Sequence, residues 1–311
     1  MSILVNPWAR PEQWMAELAR HLPDEELLLW SDVEETLDRT AVEMVTAWRM
    51  KRDDLRSFPN LHTILSMGAG TEQWQRDGTP NVRIVRLADP GMSDEMAAYA
   101  LHWVIHFQRD FNTRYAPANL SNWGSGDLPV PAPREHRVGI LGYGTIGKRI
   151  GRAFTELGYP VNAWSRSGTD DPTVTSFAGT EQLADFLDSS DAVVNVLPNT
   201  PATSGLLTAE RFEQFSGATF INIGRGTVVA SEDDLVAAVD AGHLGGVVLD
   251  VTSPEPPSAE SSLFGHPRIR ITPHVAGSTQ VASAAELIAA NITRIRNGEE
   301  PFPVVDPATG Y

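Results

Sequence analysis

Residues 137–157 read RVGILGYGTIGKRIGRAFTEL, and this stretch decides the fold. Val138–Leu141 is a short apolar run of the kind that forms a buried strand. It leads into Gly142-Tyr143-Gly144-Thr145-Ile146-Gly147, a G-x-G-x-x-G pattern. Ile146, Ile150, Phe154 and Leu157 then recur at helical spacing. Strand, glycine turn and helix in this order make a phosphate-binding turn. Gly142 permits the tight turn, Gly144 lets a pyrophosphate approach the backbone, and Gly147 lets helix and strand pack closely. The free N–H groups at the helix start, those of Thr145 and Ile146 among them, and the helix dipole hold the phosphates.

Outward from this turn, short apolar runs alternate with helical patterns. Downstream, the expected strands are Val161–Trp164, Ala192–Leu197, Thr219–Ile223, Val247–Val251 and Ile269–Thr272, with helices over 145–157, 181–188, 231–241 and 279–297. Upstream, Ile3–Val5, Leu27–Trp30, Met44–Ala47, Thr63–Ser66 and Val82–Leu87 read as strands, and Pro11 opens a helix with Trp14, Met15, Leu18 and Leu22 on one stripe. Strands separated by helices imply parallel sheets covered on both faces, an α/β protein. Ser93 is the expected cap of a helix whose apolar residues run from Met96 to Phe111, about five turns. The segment 116–136, with Pro117, Pro129, Pro131 and Pro133, reads as a loop or arm.

Composition narrows the function. The 311 residues suit about two domains, and 41% hydrophobic with 21% charged residues excludes a wholly disordered chain. The net charge is −16. Lys plus Arg number 10, 12 and 2 against 17, 19 and 4 Asp plus Glu over residues 1–98, 99–282 and 283–311, so the acidity is spread. Such a surface argues against nucleic acid and anionic membranes as partners. The chain has no cysteine, which excludes a disulfide scaffold, a thiolate metal site and a Cys nucleophile. The N-terminus is not a secretory signal and no long apolar span occurs, so the expected compartment is the cytoplasm. His102 and His106 have the spacing of a helical metal pair, but Trp103 stands where a metalloprotease motif needs Glu, so no metal is expected.

An NAD site wants an acidic residue about 20 residues after the glycine motif, on the ribose hydroxyls. Here the strand end reads Asn162-Ala163-Trp164-Ser165-Arg166-Ser167. A hydroxyl and a guanidinium suit the 2′-phosphate instead, so the expected cofactor is NADPH in preference to NADH. Three polar residues follow later strand ends: Arg225 between glycines, Glu255 between prolines, and His274 after Thr272-Pro273. In open parallel sheets the ligand crevice lies at these carboxyl ends. Together they suit carbonyl reduction. Arg225 would hold a carboxylate and polarise the carbonyl, His274 would give a proton to the oxygen, and Glu255 would orient the imidazole and favour its protonated form.

At these residues the sequence resembles the D-isomer-specific 2-hydroxyacid dehydrogenase family over almost its whole length. The motifs are Gly142–Gly147, Leu197-Pro198-Asn199-Thr200-Pro201, Asn222–Gly226, Leu249-Asp250-Val251 with Glu255-Pro256, and Thr272-Pro273-His274-Val275-Ala276. Within the family it is most similar to the enzymes that reduce glyoxylate and hydroxypyruvate, through Met67-Gly68-Ala69-Gly70, Trp164-Ser165-Arg166, Ser176-Phe177-Ala178-Gly179 and the terminal Gly310-Tyr311. The resemblance implies two doubly wound parallel-sheet domains, a Rossmann cofactor domain at 99–282 inserted in a flavodoxin-like substrate domain at 1–98 and 283–311. It implies that Arg225, Glu255 and His274 are catalytic. It also implies that Pro198 and Asp250 belong to the cofactor site, with Asp250 on the nicotinamide carboxamide. Backbone amides near Ala69 and Gly70 would bind the substrate carboxylate, Trp48 would line the pocket, and the chain would form a homodimer through the arm and long helix. One departure stands out: Ser278-Thr279-Gln280 lies where similar chains carry an Arg after the histidine.

The expected activity is therefore NADPH-dependent reduction of a small 2-keto acid, glyoxylate or hydroxypyruvate, to the D-2-hydroxy acid. Two alternatives stand beside it. A dinucleotide-sensing corepressor on the same fold need not turn over, and the intact Arg225/Glu255/His274 set counts against it. A family enzyme for another acid, such as phosphoglycerate, would want extra cations in the first domain beyond Gly68–Gly70, which the sequence alone does not place. Fold by itself does not separate these readings.

Overall fold

The computed structural model describes residues 2–74, 79–111 and 130–306. Most of the proline-rich arm and the terminal Gly310-Tyr311 pair lie outside the described residues. The chain resolves into two compact units, Met1–Met92 with Thr279–Tyr311, and Ser93–Ser278.

The first unit is built on five parallel strands: β1 (Ser2–Asn6), β2 (Glu26–Leu29), β3 (Val42–Ala47), β4 (Thr63–Ser66) and β5 (Arg83–Val85). Their order is β2-β1-β3-β4-β5, the flavodoxin-like winding. Alternation along β1 divides the core. Ile3 and Val5 face helices Pro11–His21 and Val281–Arg296, packing with Leu18, Ala285 and Ile288, while Leu4 faces Trp30, Phe58 and Trp74. All three strand residues are fully buried, as expected of a parallel sheet covered on both sides. The last long helix thus returns to the first sheet.

The second unit carries seven parallel strands: β6 (Val138–Leu141), β7 (Val161–Ser165), β8 (Thr175–Ala178), β9 (Ala192–Asn195), β10 (Ala218–Asn222), β11 (Leu244–Leu249) and β12 (Ile269–Ile271). The order is β12-β11-β10-β9-β6-β7-β8, so the winding reverses between β6 and β9. That reversal defines a Rossmann sheet, and the glycine turn after β6 stands at it. None of the helices among the described residues is long and apolar enough to cross a membrane.

Several details differ from the sequence expectation. The long helix begins at Pro90, not after a cap at Ser93; Asp89 Oδ1 accepts the Gly91 amide at 3.0 Å, and proline suits the first turn. The units divide at Met92/Ser93 and Ser278/Thr279, not at 98/99 and 282/283. Hydrogen bonds explain this. Within the second unit Asp94 pairs with Arg149, Glu95 accepts from Ser278, and Tyr99 bonds Thr272. Thr279, by contrast, donates to the Met67 carbonyl in the first unit. Strand β8 was not anticipated: a four-residue edge strand with two exposed residues carries little periodic signal.

Candidate active site

The turn after β6 is tight and needs its glycines. Gly142 has φ +109°, which favours glycine, and a Cβ on Gly147 would collide with the Gly142 carbonyl oxygen. The helix Thr145–Glu156 follows at once with Gly144 as its N-cap, leaving the Thr145 and Ile146 amides without an intramolecular acceptor among the described residues. Tyr143, the second residue of the motif, is buried, and its hydroxyl donates to Asp171 at 3.0 Å.

At the end of β7, Ser165 Oγ donates to the Gly168 carbonyl oxygen at 2.8 Å, so its hydroxyl hydrogen is spent within its own loop. Arg166 is exposed and has no carboxylate partner among the described residues. On the other side of the winding reversal, Leu197 and Pro198 follow β9. The Asn195 side chain there accepts the Leu197 amide at 3.2 Å and donates to Asn222 at 2.8 Å; Asn222 in turn donates to the Arg225 carbonyl oxygen at 3.1 Å. Both asparagines are fully buried. This pair locks the loops that carry Pro198 and Arg225. Sequence reading missed Asn195, whose only signal is a polar residue closing the apolar run Ala192–Val194.

The structure brings Glu255 and His274 together: His274 Nδ1 lies 2.7 Å from Glu255 Oε1, and both side chains are about half exposed. Arg225 stands at the end of β10, two strands from β12, with Nη1 donating to the Gly224 carbonyl at 2.7 Å. His274 has φ +55°, a left-handed conformation costing on the order of 1–2 kcal/mol for a residue with a Cβ. Asp250 holds it there. The amides of His274, Val275 and Ala276 end in turn on the Asp250 carbonyl, Oδ1 and Oδ2, at 2.9, 2.8 and 2.9 Å.

Thr272 Oγ1 also donates to Asp250 Oδ1 at 2.6 Å, so Tyr99 must be the donor in its 2.6 Å bond to Thr272. Burial, with a smaller push from Asp250, raises the Tyr99 hydroxyl to about 12, which keeps it a donor. Asp250 is almost fully buried, and its two oxygens accept three bonds, leaving one acceptor position. His102 and His106, set aside as metal ligands, sit in ring contacts with Trp103.

In the first unit, β4 runs into the Met67–Gly70 loop. Ser66 Oγ braces it, accepting from the Gly68 amide and donating to the Gly68 carbonyl at 3.0 Å. A Cβ on Gly68 would come within 2.7 Å of the Trp48 ring, so glycine lets that ring pack against the loop. The Ala69 and Gly70 amides have no acceptor among the described residues. Gln280 is the N-cap of the returning helix, its amide donating to Asp89 Oδ2 at 3.3 Å.

A Rossmann sheet whose carboxyl edge carries a buttressed His–Glu pair belongs to the NAD(P)-dependent dehydrogenases. Residues 101–276 match the profile of the D-isomer specific 2-hydroxyacid dehydrogenase, NAD binding domain. The chain belongs to the D-isomer-specific 2-hydroxyacid dehydrogenase family. It is 36% identical to glyoxylate/hydroxypyruvate reductase A of Serratia proteamaculans, over 99% of each chain. Among solved structures, it is similar to a D-isomer specific 2-hydroxyacid dehydrogenase of Xanthobacter autotrophicus in complex with NADPH and MES, with 33% identity, TM-score 0.93 and 100% and 99% of the two chains covered. It is also similar to the NADPH-dependent glyoxylate/hydroxypyruvate reductase of Sinorhizobium meliloti with NADP and sulfate, with 30% identity, TM-score 0.90 and 100% of both chains covered.

Proposed function

We propose that this protein reduces small 2-keto acids, glyoxylate and hydroxypyruvate first among them, to D-2-hydroxy acids with NADPH. The observation that carries the reading is the 2.7 Å His274–Glu255 contact at the carboxyl edge of the Rossmann sheet. NADPH, when bound, supplies the hydride. The chain's own residues do the rest. Gly142–Gly147 and the free amides of Thr145 and Ile146 receive the pyrophosphate. Arg166 pairs with the 2′-phosphate, and Ser165 shapes the loop that presents it. The remaining acceptor position on Asp250 suits the nicotinamide carboxamide, and Pro198 lines the same site.

The Ala69 and Gly70 amides are groups for the substrate carboxylate, and Arg225 is a carboxylate anchor that also polarises the ketone. With Nδ1 committed to Glu255, the His274 imidazolium has Nε2 free to donate a proton to the ketone oxygen as negative charge grows there. Trp48 limits the bulk of the side chain. The Glu255-held imidazole and the reductase names of the similar chains favour turnover over a sensing role.

Steady-state kinetics with a panel of 2-keto acids against NADPH and NADH tests the proposal. Glyoxylate and hydroxypyruvate should show the higher kcat/KM, with NADPH preferred about tenfold or more, the worth of one charge-assisted bond. A tenfold preference for a branched or aromatic keto acid would remove the substrate assignment and leave the dehydrogenase class.

A further inference from the structure

The first unit holds a cation on an aromatic ring at the carboxyl ends of β1 and β3. The Arg49 guanidinium carbon lies 4.5 Å from the centre of the Trp8 ring, and Trp8 is 71% exposed. Asn6 Nδ2 donates to the Arg49 carbonyl oxygen at 2.9 Å, tying the two strand ends together. Arg49 directly follows Trp48, whose carbonyl oxygen accepts from Gln73 Nε2 at 3.0 Å; the same amide reaches the Gly70 carbonyl at 3.4 Å. Arg49 and the open Ala69 and Gly70 amides therefore belong to one hydrogen-bonded edge.

Among the described residues no carboxylate pairs with Arg49, nor with Lys51 or Arg52 just after it. In a chain of net charge −16, a guanidinium without an ion pair among the described residues offers an anion a local cationic contact. Over the Trp8 ring the guanidinium makes no side-chain hydrogen bond among the described residues, and its N–H fork suits a carboxylate or phosphate.

We propose that Arg49, oriented by Trp8, is a specificity residue that favours 2-keto acids carrying a second anionic group at the end remote from the ketone. The proposal deepens the reductase reading above and rests on it. The first carboxylate takes the Ala69 and Gly70 amides, and the remote anion takes Arg49, with Lys51 and Arg52 adding long-range attraction.

The test compares oxaloacetate and 3-phosphohydroxypyruvate, a carboxylate and a phosphate arm, with hydroxypyruvate at saturating NADPH. Wild type, Arg49→Ala and Arg49→Lys are measured. Arg49→Ala should lower kcat/KM for at least one dianionic acid about tenfold or more, chiefly through KM, and change hydroxypyruvate several-fold less. Arg49→Lys should recover part of the loss, keeping charge without the fork. Titration calorimetry with D-malate and D-3-phosphoglycerate reads the same contact without turnover. Equal effects on all acids, or none on the dianions in both assays, would overturn the inference. Failure of every keto acid to react would instead strike the reductase reading, and the calorimetry would still decide the role of Arg49.

Discussion

The Tyr143 hydroxyl donates to the Asp171 carboxylate across 3.0 Å, joining the second residue of the glycine motif to the loop that follows β7. Asp171 also accepts from the side chain and amide of Thr173, at 2.6 and 2.9 Å, and these bonds hold its carboxyl below the usual range. Burial, and the carboxylate beside it, push the Tyr143 phenol above its ordinary value, so it remains a donor. The loop carrying Arg166 is thereby anchored to the glycine turn. Tyr143→Phe should raise the KM for NADPH about two- to tenfold, the worth of one hydrogen bond, with little change in kcat or in the KM for NADH. Titration of both cofactors checks it; an equal rise for both would mean that the bond supports the turn alone.

The His274–Glu255 pair sets the second expectation. His274→Ala should lower kcat about 10²–10⁴-fold, the contribution of a positioned acid. Glu255→Gln keeps an acceptor for Nδ1 but removes the carboxylate charge beside the ring, so kcat should fall by less than in His274→Ala. Near wild-type turnover by His274→Ala at neutral pH would remove His274 from the mechanism.

In the proposed mechanism Arg225 serves binding and chemistry together, so Arg225→Ala should raise KM and lower kcat at once. A change in KM alone would leave it as a carboxylate anchor only.

Cofactor choice is expected to follow Arg166. Ser165→Asp with Arg166→Ala supplies a ribose acceptor and removes the phosphate partner, so the preference should turn towards NADH. Measured kcat/KM for both cofactors in both proteins decides this. Equal wild-type use of NADH would show that Arg166 does not meet the 2′-phosphate.

Acid should weaken the fold partly through His136. Its buried Nε2 has no partner among the described residues, and burial lowers its tendency to take a proton. The unfolded chain keeps an ordinary histidine near 6.5. Below that pH the unfolded state binds a proton that the folded state refuses, so stability falls as pH drops from about 6.5 towards the folded-state value. His136→Phe removes the titrating group without stranding a donor, and its Tm should fall less than that of wild type between pH 7 and pH 5. Parallel melting curves read the difference.

A sequence discloses local requirements and is silent on which strands become neighbours. The β6 turn was legible because a tight passage from strand to helix needs small residues in a fixed order, and such needs are local. That Arg225, Glu255 and His274 lie beyond strand ends was legible from the apolar runs before them. Asn195, and the use of Asp250 to seat the His274 loop, were not. Their roles depend on which strands are neighbours: β9 beside β10, and β11 beside β12. Ser165 shows the same limit from the other side. Its type fits a phosphate, but a carbonyl three residues on in its own loop has already taken its hydrogen.

Glu95 accepts both the amide and the hydroxyl of Ser278, each at 2.7 Å, and these residues lie at the two ends of the second unit. A folded segment whose ends meet at one carboxylate costs its host little more than a tight loop does. To the flavodoxin-like unit, the whole Rossmann unit is equivalent to a short connection between Met92 and Thr279. Its strands can therefore be lengthened, rewired or exchanged for those of another cofactor module without asking the outer sheet to change register. The reacting half of the enzyme is, in this sense, a cassette.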